Sequence, residues 1–304
     1  MEEMKVFIAG KDDDDRRLDR VLRKLLPGIP LSAVYTAMRR KRVLLNNRTA
    51  EGNLRVHQGD RISLSPSLLD GLAPPDLSPV SRKISLTILL ETPSILAVSK
   101  PAGIAVHGSA SLTDVVASYL QGKGTDSLSF RPGPLHRLDK DTTGLIFFGK
   151  TLEGSRRFSS LLQSRRTKKY YLALLDGILT RQCAWRGPVE GRDALSLVYP
   201  LATSDRYSLA CIRLVTGRKH QIRLQAAEEG YPLTGDRKYG GGNPPGYILH
   251  SYALLLPEED RILGFKDCYA PLPQEKEQHL KSLFGATAFR QSLQILGELR
   301  NNLF

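Results

Sequence analysis

Residues 66–82, PSLLDGLAPPDLSPVSR, hold four prolines and no sustained hydrophobic period. Each proline removes a backbone donor and pushes the residue before it out of the α region, so neither a helix nor a sheet runs through such a stretch. The break predicts a linker, with a small unit ahead of it and a larger one behind. The expected division of the 304 residues is a segment at 1–15, a first domain at 16–65, the linker at 66–82, a second domain at 83–273 and a helical tail at 274–304.

In the first unit, DDDDRRLDRVLRKLL from Asp12 puts acids ahead of Leu18, Val21, Leu22, Leu25 and Leu26, which share one helical face. Acids at the start and Arg and Lys later suit the helix dipole. Pro27, Gly28 and Pro30 end that helix, Ser32 can cap a second, and the second runs into Arg39, Arg40, Lys41 and Arg42. Short strands are expected at 43–45, 55–56 and 61–64, separated by Asn and Gly turn residues.

The larger unit interleaves strand candidates at 86–90, 95–99 and 145–148 with helix candidates at 113–120 and 154–162, an α+β pattern. In the tail, Phe289, Leu293, Leu296 and Leu299 form a stripe expected to pack on the body.

A net charge of +13 attracts polyanions, which makes nucleic acid the natural partner. The longest apolar runs fall far short of the roughly 20 residues that span a bilayer, so no membrane segment is expected. The start, MEEMKVFIAGKDDDD, has neither a basic region nor a long apolar core, and a cytoplasmic protein is expected. Cys183, Cys211 and Cys268 are scattered singly, and the histidines show no HxxxH or HExxH spacing. No disulfide framework and no metal site are expected.

Residues 133–151, GPLHRLDKDTTGLIFFGKT, place a His, two Asp and two Thr ahead of a short apolar run bounded by Gly144 and Gly149. Four apolar residues are too few for a helix and suit a strand covered on both faces. Asp139, between Leu138 and Lys140 and close to Arg137, is a carboxylate held at the edge of a rigid strand. On these residues alone, a turn-capping Asp139 with Thr142 and Thr143 bonding local backbone is the favoured explanation of the stretch.

HRLDKDTTGL closely resembles the HRLDxxTSGL motif of the RluA-type pseudouridine synthases, which isomerise uridine in ribosomal or transfer RNA. The resemblance implies that Asp139 is the catalytic residue, with Thr143 standing where Ser is usual. KKYYLALLDG, residues 168–177, resembles the family's K-x-Y-x-A block and maps its tyrosine to Tyr171. Strand alternation puts Tyr171, Ala173 and Leu175 on one face and Tyr170, Leu172 and Leu174 on the other, so one tyrosine alone can face the site. TGRKHQIRLQAAEEGYPLTGDRKYGG, residues 216–241, resembles TGRxHQIRxH followed by GDxxYG, which implies that Arg223 pairs with Asp139. Gln225 stands where the family usually has His, and Leu249, His250 and Ser251 match an LHA block with Ser for Ala, departures that bear on substrate contacts. ILLETPSILAVSKPAGIAVH resembles a further block, in which Lys100, Pro101, Ala102 and Gly103 are expected to support the active-site loop.

Residues 16–64 resemble an S-four-type RNA-binding domain, in which the face around the second helix grips structured RNA. Arg39, Arg40, Lys41 and Arg42 are the expected RNA contacts there, since double-stranded RNA is read mostly through phosphates and shape.

The fold implied is α+β, a catalytic domain on a mixed, mainly antiparallel sheet with a small N-terminal α+β RNA-binding domain. The implied activity is pseudouridine synthesis without a cofactor, at a site with Asp139, Tyr171 and Arg223 as catalytic residues. Arg137, His136, Thr143, His220, Gln221 and Leu249 are the expected substrate contacts. The expected partner is RNA, large-subunit ribosomal RNA ahead of transfer RNA, and the expected state is a monomer. The alternatives are a transfer RNA synthase and a non-catalytic RNA-binding or ribosome-assembly factor on the same fold.

Overall fold

The computed structural model describes residues 3–70, 85–122, 127–242 and 246–302. The chain begins with strand β1 (Lys5–Ile8), a 3-10 turn at Lys11–Asp13 and β2 (Arg16–Arg17), then helices α1 (Leu18–Leu25) and α2 (Leu31–Arg39). Strands β3 (Val43–Leu45), β4 (Arg48–Thr49), β5 (Arg55–Val56) and β6 (Arg61–Leu64) and a single helical turn α3 (Pro66–Leu69) follow. The antiparallel order β1-β6-β3-β4 makes a small sheet, against which Leu18, Val21, Leu22, Val34 and Met38 of the two helices bury their apolar face.

Two local expectations change. The acids at 12–15 precede α1 instead of entering it: the helix starts at Leu18, Asp19 is the acid of its first turn, and Asp12 and Asp13 are buried. Pro30, with its fixed φ, precedes α2, so that helix starts one residue ahead of the anticipated Ser32 cap. Of the expected linker, residues 66–70 are described, most of them in α3, and 71–82 lie outside the described residues.

The second domain is built on one large sheet. Its strands are β7 (Thr87–Glu91), β8 (Ile95–Lys100), β9 (Gly133–Pro134), β10 (Thr143–Gly149), β11 (Lys168–Asp176), β12 (Cys183–Val189), β13 (Arg192–Thr203), β14 (Tyr207–Leu214), β15 (Leu249–Asp260) and β16 (Phe265–Tyr269). The order is β12-β13-β14-β11-β15-β10-β8-β7, with β16 on β15 and β9 on β10. Every pairing is antiparallel except β10 with β15, so the sheet is mixed and mainly antiparallel.

Helices α4 (Leu112–Leu120) and α6 (Gln221–Glu228) contribute to one face, while α7 (Gln274–Phe284) and α8 (Ala286–Asn302) cover part of the other; α5 (Leu152–Gln163) packs Phe158 and Leu161 against β10. The apolar run of β10 is buried along its whole length. In the tail, Phe289 and Leu296 are buried, but Ser292 takes the inward position next to Leu293, which is 42% exposed. The side chain of Leu299 lies outside the described residues. No described helix is long and apolar enough to cross a membrane.

The one parallel pairing positions the site. Gly144 has φ +102°, and a Cβ there would run into the carbonyl oxygen of Ser251. Only glycine lets β10 approach β15 this closely, in register Thr143 to His250 and Gly144 to Ser251. The loop that precedes β10 is thereby delivered beside the first residues of β15.

Candidate active site

Asp139 lies four residues before β10, with its carboxylate 18% exposed. Its carbonyl accepts from the Thr142 amide at 3.2 Å, closing a turn. The buried Lys100 ammonium, at the end of β8, donates to the carbonyls of Pro101, Ile104 and Lys140 at 2.9, 2.8 and 2.6 Å. One cation thus binds the segment after β8 to the residue next to Asp139. Burial pulls that amine down to about 8.

Two cavities flank Asp139 and share Arg137, Leu138, His220 and Arg223 in their walls. The smaller recess, about 60 Å³, is also lined by Tyr171, Leu249, Ile222 and Leu214. The larger cleft, about 300 Å³, is completed by Val106, His107, Lys140 and Tyr247. Its volume reaches the lower end of small-ligand sites, enough to admit one nucleoside.

The Arg223 guanidinium, on α6, meets two carboxylates, the Asp139 that the resemblance implied and, more closely, Asp236. Its Nε and Nη2 donate to the two carboxylate oxygens of Asp236 at 2.6 and 2.8 Å, while Nη1 reaches Asp139 at 3.4 Å. The planar fork therefore matches Asp236, and Asp139 receives a single looser contact. Arg223 also lies 5.0 Å from the ring centroid of Tyr239 and 4.7 Å from that of Tyr247. Burial works against its charge, but the Asp236 bonds and the neighbouring anionic groups outweigh this and hold the guanidinium protonated.

His220 immediately precedes α6 in the left-handed conformation, φ 55°. Its Nδ1 is 2.8 Å from the Tyr239 hydroxyl and its Nε2 is 3.5 Å from the second Asp139 oxygen. Burial lowers its pKa, and Arg223, Lys238 and Lys219 lower it further against the opposing effect of Asp139. With the ring neutral, electrostatics selects the tautomer that accepts from Tyr239 and turns its Nε2–H to the carboxylate.

Tyr171 lies on the face that alternation anticipated: Tyr171, Ala173 and Leu175 join one core, and Tyr170, Leu172 and Leu174 join the core on the other side. Burial pushes its phenol up to about 12, moderated by the nearby Ser251, its cross-strand neighbour on β15. The Ser for Ala departure thus sits opposite this ring.

The remaining anticipated residues divide. Arg137 is exposed and borders both cavities, and Leu249 lines the recess. His136 does not line the cleft, because its Nε2 accepts from the Phe147 amide at 3.1 Å and its ring packs with Phe147 and Phe158. Burial drops its pKa to about 3, so it is a neutral structural group. Thr143 also faces inward, 2.9 Å from His250 Nδ1 and accepting from Lys276 of α7 at 3.3 Å. Gln221 borders the recess, but its amide is spent on Thr216, Arg218, Leu195 and Ser196. Gln225 bonds Ser196 and the Trp185 and Ala194 carbonyls, fastening α6 to β12 and β13, and lines neither cavity.

Asp236, Tyr239 and Tyr247 contact Arg223 or His220, and sequence reasoning did not anticipate those contacts. Asp236 and Tyr239 sit in the GDRKYGG loop, where the resemblance supplied only the GDxxYG pattern. A Cβ on Gly241 would collide with the Leu233 carbonyl, so that loop closes tightly enough to present both. The available signal was a carboxylate and a tyrosine three apart between glycines, without any indication of what they would meet. Arg39, Arg40, Lys41 and Arg42 are all exposed at the end of α2.

A sequence profile described as RNA pseudouridylate synthase matches residues 94–228, and one described as S4 domain matches residues 16–62. The chain is 30% identical over 296 residues to the ribosomal large subunit pseudouridine synthase D of Nitrosomonas europaea, spanning 88% of this chain and 84% of the relative. It is 29% identical over 277 residues to the ribosomal large subunit pseudouridine synthase C of Rickettsia bellii, spanning 80% and 90%. Among solved structures, human RNA pseudouridylate synthase domain containing 4 shares the fold, with a TM-score of 0.51 at 21% identity over 68% of this chain and 92% of that one.

Proposed function

Because the chain belongs to the RNA pseudouridylate synthase family, we propose that it converts specific uridines of large-subunit ribosomal RNA to pseudouridine at Asp139. The observation that carries the proposal is the carboxylate itself. It stands between two cavities, contacted on one oxygen by Arg223 and approached on the other by His220, each held in turn by Asp236 or Tyr239. The names of the ribosomal relatives and the N-terminal S4 match favour ribosomal RNA as the substrate.

The reaction breaks the bond from ribose C1′ to uracil N1 and forms one from C1′ to C5. The C5 proton is lost and N1 gains one, so atoms balance without an oxidant or second substrate. The target base must first leave its stack, at a cost of a few kcal/mol that is least in loops. Asp139 acts as nucleophile or base on the flipped nucleotide. Tyr171 offers a rigid neutral ring against which the freed uracil can turn, and Arg223 and His220 hold the carboxylate aimed. The exposed Arg137 and the basic end of α2 meet RNA phosphates and backbone.

The test compares wild type with Asp139→Asn on unmodified ribosomal RNA, mapping pseudouridine. The near-isosteric change should abolish product and leave folding and RNA binding nearly unaltered. Normal product formation by the variant would overturn the assignment.

A further inference from the structure

A proline-rich connection between two domains suggests a tethered module that moves freely. The described residues instead show the first domain docked on the second, with one carboxylate at the centre of the contact. Asp13, with 0% exposure, accepts five hydrogen bonds. One comes from its own domain, the Gly10 amide at 3.0 Å. The other four come from the segment that follows α4 in the catalytic domain: the Leu128 and Ser129 amides at 2.8 and 3.0 Å and the hydroxyls of Ser127 and Ser129.

The contact extends around that carboxylate. Arg16 donates to the Ser129 hydroxyl at 2.8 Å, and Leu128 packs on the core formed by α1, α2 and the small sheet. The exposed Lys11 and Glu153 pair at 3.5 Å adds little. A buried carboxylate is expensive unless donors saturate it. Here most of its donors belong to the other domain, so Asp13 is satisfied by protein in the docked arrangement and keeps one protein donor, with water for the rest, when the domains part.

We propose that Asp13 is a positioning residue that locks the S4 module onto the catalytic domain, so that structured RNA is selected by contacting both at one fixed separation. The selection rests on the RNA-modifying function proposed above, whereas the lock does not. Short RNA carrying the target uridine engages only the Asp139 cleft and is indifferent to the lock. Long folded RNA also engages the basic end of α2 and gains from having the second contact preorganised.

The experiment uses the full chain with Asp13→Ala and, separately, the double variant Ser127→Ala with Ser129→Ala. The second pair removes donors from the catalytic side and leaves the N-terminal module unchanged, so it decides the matter if Asp13→Ala misfolds. Small-angle scattering without RNA should show a compact wild type and a larger radius of gyration in the variants. Loss of charge-assisted bonds shifts such an equilibrium by about tenfold or more, so KM for a long ribosomal transcript should rise by up to roughly that factor. The rate constant on a short stem-loop excised around the modified uridine should stay at the wild-type value. Wild-type scattering from two independently moving bodies, or variants unchanged in scattering, would overturn the lock. Altered scattering with an unaltered KM for long RNA would overturn the selection. A wild type that modifies no RNA would sink the proposed function while scattering still decides the lock.

Discussion

Asp236→Asn tests whether Arg223 aims Asp139 or merely fills space. Asp236 is 1% exposed and takes both Nε and Nη2 of Arg223, whose side chain is 10% exposed. Breaking a buried pair outright costs about 3 to 5 kcal/mol because it strands the partner. Asparagine keeps one acceptor but turns an NH₂ towards a guanidinium donor, so one charge-assisted bond is lost, worth about 1.5 to 3 kcal/mol. Stability should fall by roughly that amount, moderated by Asp139, which still accepts from Nη1.

The kinetic effect follows from where the fork goes next. Freed from Asp236, the guanidinium can close on Asp139 and replace one 3.4 Å contact with a tight bidentate pair. The reacting carboxylate then has to give up a charge-assisted bond before it can attack or take a proton. At about 1.5 to 3 kcal/mol this slows the chemical step by roughly 10- to 150-fold. Single-turnover pseudouridine formation at saturating RNA reads the chemical step, thermal unfolding reads stability, and RNA binding should change little. A variant that loses stability while its single-turnover rate stays within about twofold of wild type would refute the aiming role.

Tyr171 should tolerate loss of its hydroxyl and not of its ring. Tyr171→Phe keeps the ring, whereas Tyr171→Ala removes a stack worth about 1 to 3 kcal/mol and should lower kcat/KM by roughly 5- to 150-fold. Equal losses in the two variants would rule out stacking as the main role. Burial lowers His136 to about 3 and His250 to about 4 from 6.5, so the unfolded chain binds protons first as pH falls. Stability should be full above about pH 6.5 and decline down to about pH 3, the His250 share ending near pH 4, with a shallower decline in His250→Gln. A urea midpoint constant over that window in wild type would show the histidines to be unperturbed.

What the sequence revealed depended on the range of the interaction. Alternation along β11 assigned Tyr171 and Tyr170 to opposite faces, and the apolar run of β10 announced a doubly covered strand, because both patterns are local. The partner of the Arg223 fork was not legible: Asp139 is 84 residues away and Asp236 only 13, yet nothing in either spacing says which carboxylate lies in the guanidinium plane. His136 and Thr143 sit in the motif beside Asp139 but turn inward, one to Phe147 and the other to His250, partners that the motif itself does not name. Asp13 was read as a helix-dipole acid, since its four donors beyond α4 are more than 110 residues distant.

In the proposed reaction, the division of Arg223 between two carboxylates lets Asp139 be both held and reactive. A carboxylate chelated by a full guanidinium fork has its lone pairs occupied and makes a poor nucleophile or base. Removing every cation would leave it unaimed and exposed to phosphate repulsion as RNA approaches. Here Asp236 saturates Nε and Nη2 and fixes the guanidinium plane, so Nη1 meets Asp139 at a distance that orients it without consuming it. The neutral His220 adds no further charge to the pair. Counting Asp139, Asp236 and Arg223 as charged, the cluster carries one net negative charge. Arg137, Arg218, Lys219 and Lys238 around it therefore have to attract the RNA backbone, and the cleft can receive an uncharged base against an anionic carboxylate.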